Sequence, residues 1–201
     1  MKIGVLALQG AFVEHQQILG QLNVDTLDVR LPEQLNEIDG LIIPGGESTT
    51  IGKLAMAYHF MEPLMKFAQQ KPVWGTCAGM IFIAQKIENF KQPLLGVMDI
   101  VVQRNAFGRQ VDSFMTSLYI SEFHESSDQP YPCIFIRAPA VIDFGPSVQV
   151  LSRLKDGTVV AVREKHWLAT AFHPELTDDY RFHQFFLNIV KEISDNNVPI
   201  Y

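Results

Sequence analysis

The sequence predicts an α/β protein built on a mixed, mainly parallel sheet with helices on both faces, and three observations carry that prediction. Short apolar runs alternate with longer amphipathic stretches through the first half of the chain, which is the texture of βαβ units. From about Gly96 onward, strand-like segments follow one another across Gly, Pro, Asp and Ser turns, as added antiparallel strands would. At 201 residues the chain is long enough to bury a full core, and with no repeat, low-complexity tract or linker it suits one domain over 1–201.

Taken in order, "IGVLAL" (3–8) reads as the first strand and the stretch from about Ala11 to Gln21 as a helix. "VDTLDV" (24–29) and "GLIIPGG" (40–46) read as strands, a helix follows Ser48, and "PVWGT" (72–76) is a fourth strand. "GVMDIVVQRN", "TSLYISEF", "CIFIRAP", "VQVLSRL" and "TVVAVREKHWLATAF" are the strand-like segments expected to extend the sheet. In "TDDYRFHQFFLNIVKEIS", Phe182, Phe185, Phe186, Ile189, Val190 and Ile193 recur at helical spacing, with Thr177 or Asp178 as the expected cap.

Composition removes several function classes. The balance of 16 Lys+Arg against 22 Asp+Glu gives a net charge of -6 with no basic run, so a nucleic-acid partner is disfavoured. The N-terminal apolar run reaches Gln9 and Gly10 too early for a signal peptide. No apolar stretch approaches the roughly 20 residues that span a bilayer, and two cysteines make no disulfide framework. The expectation is a cytoplasmic, reduced protein without metal or cofactor.

Chemistry enters at Gly75-Thr76-Cys77-Ala78-Gly79, where a predicted strand gives way to a predicted helix. A nucleophile elbow needs small neighbours there, because the sharp turn that lifts the nucleophile out of the sheet leaves no room for bulk. The following helix N-terminus favours both a thiolate and an oxyanion. Cys133 lies among apolar strand residues and reads as a buried core thiol.

Six histidines could serve as the base: His15, His59, His124, His166, His173 and His183. His59 and His183 fall in helical segments, and His15, His124 and His166 lie among polar neighbours, so these five read as solvated or packed. His173 ends "LATAF" and is followed by Pro174 and Glu175, which puts a carboxylate on its own side if the chain stays extended. Glu175 could then fix the imidazole tautomer, as the acid of a triad does.

The third element, "LIIPGGESTTIGK" (41–53), follows a strand and opens a helix. Its spacing fails the phosphate-loop pattern. Its glycines instead suit an oxyanion donor at the Gly46 N–H, opposite the N–H of Ala78. Gly45-Gly46 also reads as a tight turn with a helix cap at Ser48 or Thr49.

A Gly-Gly loop, a cysteine elbow and a His-x-Glu, in this order, resemble the class I glutamine amidotransferases, a flavodoxin-like fold with a Cys-His-Glu triad. "LALQGAFVEH" (6–15), "PEQLNEIDGLIIPGGESTT" (32–50), "GTCAGM" (75–80), "RNAFGRQVDSF" (104–114), "FIRAP" (135–139) and "FHPELTDD" (172–179) narrow the likeness. They resemble the glutaminase subunits of two-component pyridoxal 5′-phosphate synthases, and the likeness spans essentially the whole chain. The resemblance implies Cys77 as nucleophile, His173 as general base and acid, and Glu175 as the residue that orients it. It also implies that Gly46, Glu47, Ser48, Arg104, Ile136 and Arg137 bind L-glutamine.

The same resemblance implies a partner, the barrel-shaped synthase subunit that joins the released ammonia to a pentose phosphate and a triose phosphate. Three other readings predict different behaviour: a glutaminase serving another synthase, a related α/β cysteine hydrolase acting on some other small amide, which would not need His-Pro-Glu near the C-terminus, and a non-catalytic binding subunit in which Cys77 is no more reactive than Cys133.

Overall fold

A computed structural model describes residues 1–108, 113–123 and 129–196 of the chain. The Arg109–Asp112 part of "RNAFGRQVDSF", the 124–128 part of the loop after Phe123, and with it His124, lie outside the described residues.

Four strands form the parallel half of the sheet: β1 (Lys2–Leu6), β2 (Asp25–Val29), β3 (Gly40–Ile43) and β4 (Val73–Thr76). They stand in the order β2-β1-β3-β4, all parallel, the arrangement of flavodoxin-like doubly wound sheets. Every residue of β3 and β4 is buried, which is why these strands read as unbroken apolar runs. The helices between them are α1 (Phe12–Gln21), α2 (Ser48–Ala57), α3 (Met61–Gln70) and the short α4 (Ala78–Ile83).

Alternation along the strands assigns the two faces. Trp74 packs against Phe182 and Phe186 of α5 (Arg181–Asn196) and against His15 of α1. Its neighbour Gly75 looks the other way, onto α4, where a Cβ would lie 2.5 Å from the Gly79 carbonyl. Helix α5 docks through Phe182, Phe186, Ile189 and Val190, all essentially inaccessible, so the periodicity seen in the sequence is the buried stripe.

The second half extends the sheet with β5 (Ala84–Ile87), β6 (Met98–Gln103), β9 (Ala140–Phe144), β10 (Gln149–Arg153), β11 (Val159–Glu164) and β12 (Trp167–Thr170). The order continues β4-β12-β11-β9-β6-β5, with β10 also paired to β11. "TVVAVREKHWLATAF" is two strands, because the chain reverses at Lys165, whose φ is 55°, and β11 and β12 pair antiparallel. The return strand β12 then runs parallel to β4.

Two expectations are corrected here. β7 (Ser113–Leu118) and β8 (Tyr131–Ile136), which overlap the starts of "TSLYISEF" (116–123) and "CIFIRAP" (133–139), do not join the main sheet; they pair with each other as a separate antiparallel ladder. The ladder packs on the molecule through Phe114 and Phe135, stacked at 4.5 Å, and through Phe107 and Phe172. Nor does Thr177 or Asp178 cap α5: Thr177 Oγ1 bonds the Pro174 carbonyl, while Asp179 accepts the Arg181 N–H at 3.1 Å.

Candidate active site

The ends of β1, β3, β4 and β12 meet on one rim of the sheet, and each delivers one segment to a common cavity of about 500 Å³: Gln9-Gly10, Gly45 to Ser48, Cys77-Ala78 and His173 to Leu176. Ligands bind at the carboxyl ends of strands in doubly wound sheets because the loops there converge. All ten residues singled out from the sequence line this cavity: Gly46, Glu47, Ser48, Cys77, Ala78, Arg104, Ile136, Arg137, His173 and Glu175. Gln9, Gly10 and Asn105 line it as well.

Cys77 sits at the elbow with φ 48° and ψ −103°, backbone values that a β-carbon disfavours and that tight packing must hold in place. Its N–H donates to the Thr170 carbonyl at 2.8 Å, continuing the β4–β12 ladder by one residue. Gly79 makes the turn possible, since a Cβ there would collide with the Ile43 carbonyl. Ala78 opens α4, so its N–H has no carbonyl of its own helix to meet. Cys77 is 6% exposed and lines the cavity, with its Sγ 3.9 Å from the Ile136 carbonyl.

His173 and Glu175 pair differently from the expected extended chain. Pro174–Leu176 form a 3₁₀ turn, and His173 precedes it with non-helical φ −105° and ψ 87°, as a residue before proline should. That bend still brings His173 Nδ1 to 2.7 Å from Glu175 Oε1, with the carboxylate fully buried. Burial would lower the His173 pKa, but the Cys77 side chain and the Glu175 carboxylate outweigh it and raise it to about 10. A Cβ on Gly45 would touch His173 Cε1 at 2.5 Å and Cys77 Cβ at 3.4 Å, so the glycine loop, the thiol and the imidazole converge on one point.

The loop itself is fastened from β1's extension. Ala11 N–H donates to the Gly45 carbonyl at 3.0 Å, and Glu47 N–H donates to Gln9 Oε1 at 2.8 Å. The peptide is trans, so the Gly46 N–H points away from Ala11. The helix cap is neither Ser48 nor Thr49: Glu47 caps α2, its carboxylate accepting from the N–H groups of Thr49 (3.0 Å) and Thr50 (2.7 Å). Slight burial opposes the charge, but the Thr50 hydroxyl and these N–H donors hold its pKa down to about 2.

Arg104 enters the cavity wall already engaged, 3.4 Å from Glu47, 3.3 Å from both Thr49 Oγ1 and Gln92 Oε1, and stacked on Phe90. Arg137 adopts φ 42° and has no ion-pair partner among the described residues. Of the other histidines, His59 is exposed and His166 bonds the Ala68 carbonyl. His15 and His183 read from the sequence as solvated or packed; both are fully buried, His15 3.5 Å from Glu175 and His183 2.9 Å from His15.

A strained cysteine elbow and a buried His-Glu pair on this rim of a 2-1-3-4 sheet have the architecture of a class I glutamine amidotransferase. A solved structure described as a glutamine amidotransferase superposes with a TM-score of 0.88 at 44% identity, covering 94% of this chain and 98% of its own. PurLQS from Thermotoga maritima shares the fold at a TM-score of 0.62 and 15% identity, covering 97% of each chain. The SNO glutamine amidotransferase family matches residues 5–192, and the chain belongs to that family. Among curated relatives, the pyridoxal 5′-phosphate synthase subunit PdxT of Carboxydothermus hydrogenoformans is 56% identical over 191 residues, covering 94% of this chain and 98% of the relative. The PdxT of Herpetosiphon aurantiacus is 54% identical over 193 residues, covering 94% and 100%.

Proposed function

We propose that this chain is the glutaminase subunit of a two-component pyridoxal 5′-phosphate synthase, with Cys77, His173 and Glu175 as its catalytic residues. The observation that carries the proposal is the convergence of the Cys77 elbow, the His173–Glu175 pair and the Gly45-Gly46 loop on one cavity, in a chain 56% identical to a subunit of that synthase.

L-Glutamine enters with its side-chain amide over Cys77. The thiolate attacks the amide carbon, and the negative charge that develops on the oxygen is met by the N–H groups of Gly46 and Ala78. The imidazolium of His173 gives its proton to the amide nitrogen, the C–N bond breaks, and ammonia leaves behind a γ-glutamyl thioester. Neutral His173 then takes a proton from water, the hydroxide adds to the thioester carbon, and glutamate departs with regeneration of the thiolate and imidazolium. Glu175 keeps the Nδ1–H of His173 fixed so that Nε2 faces the reacting atoms throughout.

The α-carboxylate of glutamine suits Arg137, whose guanidinium has no carboxylate partner among the described residues, while Arg104 and Glu47 hold the mouth of the loop. Ser48 and Ile136 complete the wall. Ammonia in water at neutral pH is mostly protonated and poorly nucleophilic, so the product passes directly to a synthase subunit. That subunit docks near the Gln9–Ala11 segment, which already grips the oxyanion loop. Two free thiols fit a reducing, cytoplasmic setting, and no helix among the described residues is long and apolar enough to cross a membrane.

Ammonia release from glutamine, measured for wild type and Cys77→Ala with and without the synthase subunit, tests this. Activity that needs Cys77 and rises with the synthase is the expected result. Release by Cys77→Ala at the wild-type rate overturns the nucleophile; Cys77-dependent release indifferent to the synthase leaves a glutaminase but overturns the partner.

A further inference from the structure

Behind the cavity, two buried histidines that the mechanism does not use form a line ending on Glu175. The Oε2 atom of Glu175 is buried without a hydrogen bond of good geometry, and His15 Nε2 lies 3.5 Å from it. His15 Nδ1 in turn lies 2.9 Å from His183 Nε2. These contacts join three separate elements, the 3₁₀ turn, α1 and α5. Trp74 closes the group from β4, with its ring 5.7 Å from His15 and 5.0 Å from His183.

The tautomers follow from the partners. If His15 carried its proton on Nδ1, the lone pair of Nε2 would face the Glu175 carboxylate, and His183 would have to bury a donor at Nδ1, which has no partner. With the proton on His15 Nε2, that N–H points at Glu175 Oε2, His183 Nε2–H donates to His15 Nδ1, and only an acceptor, His183 Nδ1, is left unpaired. A buried orphan acceptor is the more tolerable defect. Thr76 Oγ1, 3.4 Å from His15 Nε2, is a second acceptor for the same N–H and ties the line to the residue before Cys77.

We propose that His15 and His183 are positioning residues for the glutaminase reaction, a two-histidine relay whose N–H groups hold the Glu175 carboxylate facing His173. This rests on the assignment of His173 and Glu175 as catalytic. The groups facing His15 are Glu175 from the 3₁₀ turn, His183 from α5 and, beyond Glu175, His173; Thr76 and Trp74 from β4 do not titrate. Burial, then His183, then His173 keep His15 neutral across the working range. Without the His15 donor, Glu175 Oε2 is a buried acceptor with no N–H aimed at it, so the carboxylate is free to turn away, and the His173 imidazolium loses its counter-charge.

The test is the titration midpoint of the His173 ring, followed by NMR, together with kcat and KM for ammonia release in the presence of the synthase subunit. In His15→Leu the midpoint is expected to fall by about one unit and kcat by about tenfold, with KM within about twofold. His15→Gln, which can present an amide N–H near the position of Nε2, should recover most of both. If His15→Leu does not fold, His183→Leu against His183→Gln makes the same comparison one step further back. Glu175→Gln separates the two ideas. If it lowers the midpoint and kcat while folded histidine variants leave both unchanged, the relay is overturned and the triad stands. If Glu175→Gln itself changes neither, the triad assignment has failed.

Discussion

Cys77 and Cys133 are both buried free thiols, at 6% and 0% exposure, so burial alone does not separate them. Surroundings do. Burial, then the charge of Asp179, pushes the Cys133 thiol up, far from any ionised form at neutral pH, whereas Cys77 opens onto the cavity beside His173. Iodoacetamide at pH 7.5 should therefore alkylate Cys77 faster than Cys133 by on the order of tenfold or more in the native protein. Equal labelling of the two peptides by mass spectrometry would sink the assignment. The pair also works in reverse, since the Cys77 side chain contributes to the high pKa of His173. Cys77→Ala should lower the His173 midpoint from about 10 towards the ordinary 6.5, and a midpoint that stays near 10 would show that Cys77 is not the group responsible. At this scale Cys77 was legible because small neighbours at a strand-to-helix junction have a steric reason, and His173 because a carboxylate stood two positions on. His15 and His183 were not legible: 168 positions separate them, and only the packing of α1 against α5 makes them neighbours.

The elements around the cavity are held less by their own propensities than by one loop. Glu47 caps α2, pairs with Arg104 and donates its N–H to Gln9, so helix, wall and first strand share a residue. Glu47→Ala should cost about 1 kcal/mol in urea denaturation and, by releasing Arg104, raise KM for glutamine. An unchanged KM would mean that the Arg104 position does not matter to substrate. Gly10 is the stricter point: its φ is +106°, and a Cβ there would run into the Gly45 carbonyl. Gly10→Ala should displace the Gly45-Gly46 loop and lower kcat well beyond any loss of stability; wild-type kcat in this variant would refute the link between β1 and the loop. The parallel half of the fold was readable because fully buried strands print as apolar runs. The β7–β8 ladder was not: its alternating residues are compatible with an edge of the main sheet, and only the cluster of Phe107, Phe114, Phe135 and Phe172 decides where it folds back. Glu47 was missed as a cap because Ser48 and Thr49, the commoner capping types, stand next to it.

For the molecule as a whole, placing two neutral histidines in the core has a consequence for stability. Burial lowers the pKa of His183 from 6.5 to about 3, and that of His15 well below 6.5. In the unfolded chain both take a proton as pH falls through about 6.5, while in the folded chain they stay neutral. Between about pH 6.5 and pH 3 the unfolded state therefore binds more protons, and stability rises with pH, by up to about 1.4 kcal/mol per unit for each such histidine. Above the ordinary histidine range this contribution is fully present and adds no further slope. Urea denaturation from pH 4.5 to 7.5 should show the rise ending near pH 6.5 to 7. Carboxylates give a slope of the same sign at lower pH, so the discriminating experiment is His183→Leu: its stability should rise less steeply between pH 5 and 6.5 than that of wild type, whatever the offset between the two curves. Parallel curves would mean that His183 takes up its proton alike in the folded and unfolded states. That outcome would end the neutrality of the line, although a charged His183 would still donate Nε2–H to His15 Nδ1. The same burial that keeps the line neutral for Glu175 thus makes the fold sensitive to mild acid, and the two properties stand or fall together.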